Sequence, residues 1–243
     1  RAVGADSVTV TADPSVVRAA DRIILPGVGN FAACAGALRA IPHLIEAMEE
    51  RVHVGGAPFL GICVGMQLLA TRGLEHGETP GLGWIEGDVA LIERTDPAIK
   101  VPHMGWNDVA TTPHAPAGDL IEEGEAYFLH SYHFAPVDGR HIAAMTDHGG
   151  GLVAAVARDN VVGVQFHPEK SQKYGLDLLA LFGGECAFAV VTRGVGKVVK
   201  RGGLFFNLAL LRDDGAGPVA HQGVVRVALQ RFNKVLFGLL VLV

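Results

Sequence analysis

One apolar run constrains what this chain can fold into more than any other feature. Residues 58–69 read Pro-Phe-Leu-Gly-Ile-Cys-Val-Gly-Met-Gln-Leu-Leu, and a cysteine, Cys63, stands between two glycines, Gly61 and Gly65. The residues before the cysteine predict a buried strand, and those after it predict a helix to about Arg72. The glycines leave room for a sharp strand-to-helix turn with the thiol at the carboxyl end of the strand.

Cys63 at such a turn is a candidate nucleophile. The helix that follows points its partially positive amino terminus at the sulfur, which favours the thiolate. The backbone N–H of Val64 is then free to bind a developing oxyanion. A buried structural cysteine is the alternative, because cysteine is among the most buried residue types.

A second motif, about a hundred residues later, supplies a candidate base. Residues 162–170 read Val-Gly-Val-Gln-Phe-His-Pro-Glu-Lys. In an extended segment His167 and Glu169 point the same way, and Pro168 between them stiffens the backbone. His167 is then a candidate general base for Cys63, with Glu169 orienting the imidazole. A histidine at a strand end is also common at surfaces, so the prediction depends on both motifs occurring in one chain.

These two motifs together resemble those of the class I glutamine amidotransferases of the triad type, which hydrolyse glutamine and pass the ammonia to a synthase. Three segments between them strengthen the resemblance: Pro-Gly-Val-Gly at 26–29, Pro-His-Met-Gly-Trp-Asn at 102–107 and Tyr-Phe-Leu-His-Ser-Tyr-His-Phe at 127–134. With the Lys-Ser-Gln that follows Glu169, they narrow it to the glutaminase subunits of imidazole glycerol phosphate synthases, in histidine biosynthesis. The resemblance runs from about residue 8 to residue 182.

The resemblance implies roles for individual residues. The catalytic triad would be Cys63, His167 and Glu169. The oxyanion and substrate site would comprise Gly27, Val28, Gly29, Val64, Gln67, Glu75, Ser131 and Tyr132. Glu75 would hold the amino group of glutamine, and Ser131 and Tyr132 its carboxylate. From the residues alone, Gln67 is equally compatible with a solvated helix position, and Ser131 and Tyr132 with an ordinary aromatic strand.

The resemblance also implies a partner. Ammonia would pass to a (β/α)₈ synthase subunit in a heterodimer, and Trp106 and Lys170 are the candidate interface residues. An exposed tryptophan is a plausible interface anchor, whereas Lys170 is also compatible with a solvated surface charge. The resemblance implies L-glutamine as substrate and no metal or organic cofactor.

Two patterns suggest other kinds of site. Gly27-x-Gly29-x-x-Ala32 after a strand matches a loose dinucleotide-binding fingerprint, but the acidic residue expected at the end of the next strand is replaced by Cys63. His130 and His133 invite a zinc site, but three residues apart on one strand they would face opposite sides. We expect neither site.

Composition narrows the class of protein. The chain has 243 residues, 49% of them hydrophobic, and a formal net charge of -5, which argues against binding to nucleic acid or an anionic membrane. Cys34, Cys63 and Cys186 show no metal-ligand spacing, and an odd count is a poor disulfide framework. With no secretory signal in the first residues, we expect a cytoplasmic protein.

The order of predicted elements gives the fold class. Strands alternate with helices in the first part: strands at 7–11, 22–25 and 58–63, and helices at 14–20 and 31–52, the latter interrupted at Pro42. Short strands follow at 81–92, 101–109, 126–134, 141–146, 152–157 and 161–166, before a last helix at 175–182. The order predicts an α/β fold with a mainly parallel central sheet, flanking helices and an antiparallel extension. The resemblance implies the same flavodoxin-like fold.

The chain departs from the family at both ends. We expect residues 1–182 to form an amidotransferase domain without its first strand and helix, which would leave apolar edges of a central sheet unpaired. Residues 183–243 carry eight Lys/Arg and three Asp/Glu, a net +5 that leaves -10 for residues 1–182. We interpret this tail as a frameshifted or disordered segment, with a fused second module as the alternative. Its apolar end, 235–243, is shorter than the roughly 18 residues that a membrane span requires.

Two other functions stay open from the sequence. One is another triad amidotransferase or a γ-glutamyl hydrolase, which the synthase subunit and its ligand would not stimulate. The other is a non-catalytic fragment or binding protein, whose properties would be unchanged by Cys63→Ala.

Overall fold

The computed structural model describes residues 7–113, 117–183 and 187–191. Its strands are β1 (Ser7–Thr11), β2 (Arg22–Gly27), β3 (Phe59–Cys63), β4 (Arg72–Gly73), β5 (Thr79–Pro80), β6 (Gly87–Leu91), β7 (His103–Thr111), β8 (Gly124–His130), β9 (Tyr132–Pro136), β10 (Ile142–Asp147), β11 (Gly151–Arg158), β12 (Val161–Val164) and β13 (Ala187–Val191). Its α-helices are α1 (Pro14–Ala19), α2 (Phe31–Arg39), α3 (Leu44–Glu49), α4 (Val64–Gln67) and α5 (Gln172–Gly183). A π-helical turn covers Glu50–Val54, and 3₁₀ turns cover Gly118–Leu120, Gly139–His141 and Pro168–Lys170.

The main sheet is part parallel and part antiparallel. Its strand order is β1-β13-β2-β3-β12-β11-β10-β7-β8. The strands from β1 to β12 in this order pair in parallel, and those from β12 to β8 pair antiparallel. Every residue of β3 is buried, as expected for a parallel strand covered on both faces. The predicted fold class, a parallel α/β sheet with an antiparallel extension, is confirmed.

A smaller second sheet was not predicted. It has the order β5-β4-β6-β9, and two of its strands are only two residues long. The prediction of one strand over residues 126–134 is wrong, because the chain turns at Ser131. Strand β8 belongs to the main sheet and β9 to the small one.

The early helices follow the predicted signals. Asp13 caps α1 by accepting from the Ser15 N–H, with Pro14 at the first helical position. Asn30 caps α2 in the same way, through the Ala33 N–H. The break expected at Pro42 separates α2 from α3.

Helix α4 is shorter than the sequence predicts, ending at Gln67 rather than near Arg72. The carbonyls of Leu68, Leu69 and Ala70 accept hydrogen bonds from backbone N–H groups in residues 82–85. These hydrogen bonds take the place of the i to i−4 ladder that would continue the helix. Packing of the following segment therefore limits α4 to about one turn.

Strand β13 pairs with sheet edges that the sequence analysis expected to be unpaired. It lies between β1 and β2 and pairs in parallel with both, with Ala189 opposite Thr9 on one side and Ile23 on the other. The edges that these two strands turn towards each other are thus paired. The rest of the predicted tail, 184–186 and 192–243, lies outside the described residues, and the domain boundary at residue 182 stays a prediction.

The core lies between the main sheet and its helices, and α2 and α4 bring their buried side chains to the end of the sheet where β2 and β3 stop. Phe31, Leu38 and Met66 are each 1% exposed or less. In the described part of the chain, no helix is long and apolar enough to cross a membrane.

Candidate active site

The turn at Cys63 has the strained geometry that the glycine spacing predicts. Cys63 has φ 54° and ψ −113°, outside the regions that a side chain favours. A Cβ added at Gly65 would lie 1.7 Å from the Leu25 carbonyl oxygen, and one at Gly61 would lie 2.6 Å from the Gly65 carbonyl oxygen. Only glycine lets the backbone of this turn pack so closely against β2. Such strain persists only where the surrounding structure enforces it, and it is concentrated at active sites.

His167 and Glu169 form the predicted pair. The His167 Nδ1 lies 2.7 Å from Glu169 Oε1, and the two side chains are 5% and 25% exposed. Pro168–Lys170 forms a 3₁₀ turn that turns the carboxylate back towards the ring. Cys63 lines the same pocket as His167, and its side chain contributes to the raised pKa of the imidazole. The thiol, the imidazole and the carboxylate thus lie together at one end of the sheet, in the order of a catalytic triad.

The charge of His167 follows from these contacts. Burial lowers its pKa, but the interactions with the Cys63 and Glu169 side chains together outweigh burial and raise the pKa to about 9. Burial raises the pKa of Glu169, but its hydrogen bond to His167 and the nearby charges of His167 and Lys170 together outweigh burial, so that the pKa is lowered. At neutral pH the structure favours an imidazolium beside a carboxylate.

A pocket of about 350 Å³ opens at this end of the sheet. It brings together most of the residues predicted for the site. Its lining includes Val28, Gly29, Cys63, Val64, Gln67, Glu75, Ser131, Tyr132, His167 and Lys170. Gly27 and Glu169 lie behind this lining, Gly27 against the Val64–Gly65 backbone and Glu169 behind His167. A more open depression of about 580 Å³ near Asp108 and Asp147 contains none of the predicted residues.

Two residues that the sequence did not single out support the triad. Gln165 is fully buried, and its Nε2 donates to the Cys63 Sγ at 3.7 Å. Ser171, 1% exposed, donates to the His167 carbonyl at 2.7 Å and accepts from the Tyr127 N–H at 2.9 Å. Both flank the His-Pro-Glu motif, and this position is the feature of the sequence that could have identified them as site residues.

Gln67 and Glu75 reach the pocket from two different elements. The Gln67 Nε2 donates to the Tyr132 carbonyl at 2.9 Å and to Gln165 Oε1 at 3.0 Å. The Glu75 carboxylate accepts from the Phe31 N–H at 2.8 Å, at the first residue of α2. Glu75 is thereby held in the lining of the pocket.

The strand end at Val28 and Gly29 forms another wall. Gly29 has φ 104°, a conformation that favours glycine. The Val28 carbonyl accepts from the Cys34 thiol at 3.4 Å. Burial raises the pKa of Cys34 to about 11, so this second buried cysteine is a thiol at neutral pH, unlike a reactive one.

The predicted interface residues lie on the surface beside the pocket. Trp106 is 46% exposed, and its ring meets Tyr127 edge-on, with 6.2 Å between ring centroids. The Lys170 Nζ lies 5.7 Å from the centroid of the same Tyr127 ring. With the exposed Met104 and Leu129 they form an apolar surface patch.

His130 and His133, which the sequence analysis placed on one strand, lie on two different strands. His130 is buried at the end of β8, whereas His133 belongs to β9 in the other sheet. Within residues 7–113, 117–183 and 187–191, no group of three His, Cys, Asp or Glu side chains is placed to hold a metal ion.

Comparison with known proteins places the chain in a family. The family model "Glutamine amidotransferase class-I" matches residues 2–183. The chain is 55% identical over 177 residues to the imidazole glycerol phosphate synthase subunit HisH of Zymomonas mobilis, covering 73% of this chain and 82% of that protein. It is 53% identical over 183 residues to the HisH subunit of Caulobacter vibrioides, covering 75% and 85% of the two proteins.

A solved structure agrees on the fold. A crystal structure of a glutamine amidotransferase superposes with a TM-score of 0.54 at 20% identity, covering 71% of this chain and 85% of that one. At this identity the likeness concerns the fold alone. The family match and the curated relatives carry the assignment further: the chain belongs to the class I glutamine amidotransferases and, among them, to the HisH subunits of imidazole glycerol phosphate synthase.

Proposed function

We propose that this chain is the glutaminase subunit of an imidazole glycerol phosphate synthase, hydrolysing L-glutamine to L-glutamate and ammonia. The observation that carries the proposal is the arrangement at the pocket: Cys63 and His167 line it together, and His167 Nδ1 lies 2.7 Å from Glu169 Oε1. The relatives at 53–55% identity support the choice of synthase.

In the first half of the reaction, the Cys63 thiolate attacks the side-chain amide carbon of glutamine. The carbonyl oxygen becomes an oxyanion, for which we propose the Val64 N–H and the Gly27 to Gly29 strand as donors. His167 gives its proton to the amide nitrogen, the C–N bond breaks, and ammonia leaves. A γ-glutamyl thioester remains on Cys63.

In the second half, water hydrolyses the thioester. His167, now neutral, removes a proton from the water as it attacks and keeps it, and the Cys63 sulfur leaves as a thiolate as the C–S bond breaks, which restores the starting state. Glu169 acts throughout through its bond to Nδ1, which leaves Nε2 facing Cys63 and stabilises the imidazolium. The products are glutamate and the free enzyme.

The remaining pocket residues fit an amino acid with two charged ends. We propose that the Glu75 carboxylate binds the α-amino group, and that Ser131 and Tyr132 bind the α-carboxylate. Gln67, whose Nε2 is already used by the Tyr132 carbonyl and Gln165, has its oxygen left for a substrate donor. The amide end of glutamine would then point at Cys63.

We propose a (β/α)₈ synthase subunit as the partner in a heterodimer, docked over Trp106 and Lys170. An exposed tryptophan among apolar neighbours is a typical interface anchor. Ammonia released at Cys63 would enter the partner and convert a phosphoribulosyl aminoimidazole intermediate to imidazole glycerol phosphate and aminoimidazole carboxamide ribotide. A cytoplasmic location, where a catalytic thiol stays reduced, suits this role.

Glutamate release by the purified full chain tests the proposal. We expect release from glutamine to be stimulated by the synthase subunit and its ribulosyl ligand and to be abolished in Cys63→Ala. Activity that the partner does not change would favour another triad amidotransferase or a γ-glutamyl hydrolase. Activity that survives Cys63→Ala, or none in a folded chain with its partner, would overturn it.

A further inference from the structure

Two buried histidines face each other next to the pocket and are not part of the triad. His103 in β7 and His130 in β8 are direct cross-strand partners and are 3% and 6% exposed. The His103 Nδ1 lies 3.1 Å from the His130 Nε2. Phe128 and His148 stack on the two sides of the His103 ring, with centroids at 4.7 and 4.1 Å.

The neighbours of the two rings fix which nitrogens carry protons. The Tyr132 carbonyl is 2.9 Å from the His130 Nδ1 and can only accept, so Nδ1 carries the proton. Asn107 Nδ2 lies 3.0 Å from the His103 Nε2. The orientation of the Asn107 amide is set by its bonds to the Asp147 carbonyl and the Asp108 N–H. His103 Nε2 must therefore accept.

These constraints leave one arrangement with both rings neutral. Asn107 donates to His103 Nε2, His103 Nδ1–H donates to His130 Nε2, and His130 Nδ1–H donates to the Tyr132 carbonyl. Burial, the largest influence on both rings, lowers the pKa of His103 to about 4 and that of His130 to about 3. The neutral state is thus the one present at neutral pH.

The last acceptor in this series of hydrogen bonds, the Tyr132 carbonyl, is part of the pocket wall. The Tyr132 carbonyl also accepts from Gln67 Nε2 at 2.9 Å. It lies where the chain leaves β8 for β9, directly after Ser131. Two donors from different elements, His130 and Gln67, thus hold the turn that we assign to the substrate carboxylate.

Asn107 and His103, the first residues of this hydrogen-bond series, belong to β7, which has an exposed outer face. Met104 and Trp106 in β7 are 65% and 46% exposed, and they alternate with His103 and Asn107, which point inward. Side chains on the two faces of one strand are attached to the same backbone. We therefore expect a partner bound at Trp106 to act on the inward-facing ring of His103 through β7.

We propose that His103 and His130 are positioning residues, which hold the Ser131–Tyr132 wall of the glutamine pocket in place and tie it to the strand carrying Trp106. This inference deepens the proposed function and depends on it for the identity of the ligand. Filling the space alone would not require imidazoles, because apolar side chains can fill a buried site without hydrogen bonds.

Glutamine binding measures the first part of the proposal directly. We would measure the Kd of glutamine by calorimetry in the full chain carrying Cys63→Ala, to which His130→Leu, His130→Gln or His133→Leu is added. His133 is the matched control: it is half-buried in β9, and its Nδ1 has no hydrogen-bond partner in the described structure. Thermal unfolding of each variant shows whether it is folded.

We expect His130→Leu to weaken glutamine binding about tenfold or more, since a buried carbonyl loses one of its two donors. His130→Gln, which can both donate and accept, should recover most of the affinity, and His133→Leu should leave it within about threefold. Equal affinity in folded His130→Leu and His133→Leu would overturn the positioning role. Absence of any glutamine binding in folded Cys63→Ala would instead overturn the proposed function.

The proposed link to Trp106 is tested by how strongly the synthase subunit stimulates glutamate release. With Cys63 intact, His103→Leu should lower the factor by which the synthase subunit and its ligand stimulate glutamate release, whereas His133→Leu should not. An unchanged stimulation factor would overturn the proposed link to Trp106.

Nitrogen-15 NMR of the wild-type chain tests the tautomers of the two rings and requires neither a variant nor activity. Both rings should be neutral with the proton on Nδ1 at pH 7. Another tautomer on either ring would contradict the hydrogen-bond arrangement of His103 and His130.

Discussion

The side-chain amide of Gln165 donates to the Cys63 sulfur at 3.7 Å while its oxygen accepts from Gln67 at 3.0 Å. One fully buried side chain thus links the nucleophile to the residue that holds the Tyr132 carbonyl. A donor placed at a sulfur stabilises its negative charge. Gln165 is therefore part of the machinery, although it lies outside the triad.

Replacing Gln165 tests this contact. Gln165→Met has a similar volume but no donor, and it leaves the Gln67 amide without one of its acceptors. We expect kcat for glutamate release to fall about tenfold to a hundredfold, because hydrogen bonds to charged groups contribute about 1.5–3 kcal/mol. The control is Gln172→Met, at the exposed start of α5. A Gln165→Met enzyme with wild-type kcat would contradict the assigned role.

Removing the charge of Glu169 should change the titration of His167. Glu169→Gln keeps an acceptor near Nδ1 but loses one of the two causes that raise the His167 pKa to about 9. We expect the midpoint of His167 in an NMR titration to move below 9, and kcat to fall at least about tenfold. Glu125→Gln, an exposed change in β8, is the control. An unchanged His167 midpoint would show that Glu169 does not stabilise the imidazolium.

The tight packing of the Cys63 turn makes Gly65 irreplaceable. A Cβ at this position would lie 1.7 Å from the Leu25 oxygen, whereas one at Gly36 in α2 has nothing within 4 Å. We expect Gly65→Ala to lower the free energy of unfolding by about 2–3 kcal/mol and to abolish activity. Gly36→Ala should raise it by about 0.5–1 kcal/mol. Urea unfolding of both variants checks the contrast, and equal effects would contradict the described turn.

The neutral histidine pair predicts acid sensitivity. Unfolded histidines titrate near 6.5, whereas His103 and His130 in the folded chain do not protonate until about pH 4 and about pH 3. Because the unfolded state binds more protons, stability falls as the pH drops below 6.5, by up to about 1.4 kcal/mol per pH unit for each histidine. Stability above pH 6.5 keeps this contribution in full.

Urea unfolding at several values between pH 5 and 6.5 measures this slope. His103→Gln should flatten it, because one of the two proton uptakes disappears, while the exposed His76→Gln should not. A slope that His103→Gln leaves unchanged would show that another group causes the acid sensitivity.

Strand β13 makes a prediction about the backbone. Ala189 pairs with Thr9 on one side and Ile23 on the other, and a proline in a strand paired on both sides removes a ladder hydrogen bond. We expect Ala189→Pro to lower the unfolding midpoint clearly more than Ala189→Val, which keeps the N–H. Equal midpoints in a thermal unfolding experiment would mean that this strand pairing does not contribute to stability.

The arrangement of the proposed triad could be predicted from the sequence because its members are fixed by short local patterns. The glycines around Cys63 and the two-residue spacing of His167 and Glu169 each carry their geometry with them. Gln165 and Ser171 could not be assigned in the same way. Their roles depend on contacts with β3 and β8, at separations of 102 and 44 residues.

The parallel part of the sheet was predictable for a similar reason, since continuous apolar runs such as β3 indicate strands buried on both faces. The small sheet was not, because two-residue strands such as β4 have no periodicity to detect. Helix α4 ends early because the segment after it takes the carbonyls of Leu68 and Leu69. Pairings between distant parts of the chain decide all these features, and local pattern does not encode them.

The central claim, that Cys63 is the nucleophile of a glutaminase, is tested most directly by trapping its intermediate. The full chain with the synthase subunit and its ligand would be mixed with isotope-labelled glutamine, quenched in acid within a fraction of a turnover, digested and mapped by mass spectrometry. We predict a labelled γ-glutamyl group on the peptide containing Cys63, accumulating before glutamate appears and absent in Cys63→Ala. Glutamate formed with no label on that peptide, or with the label on another residue, would contradict the account.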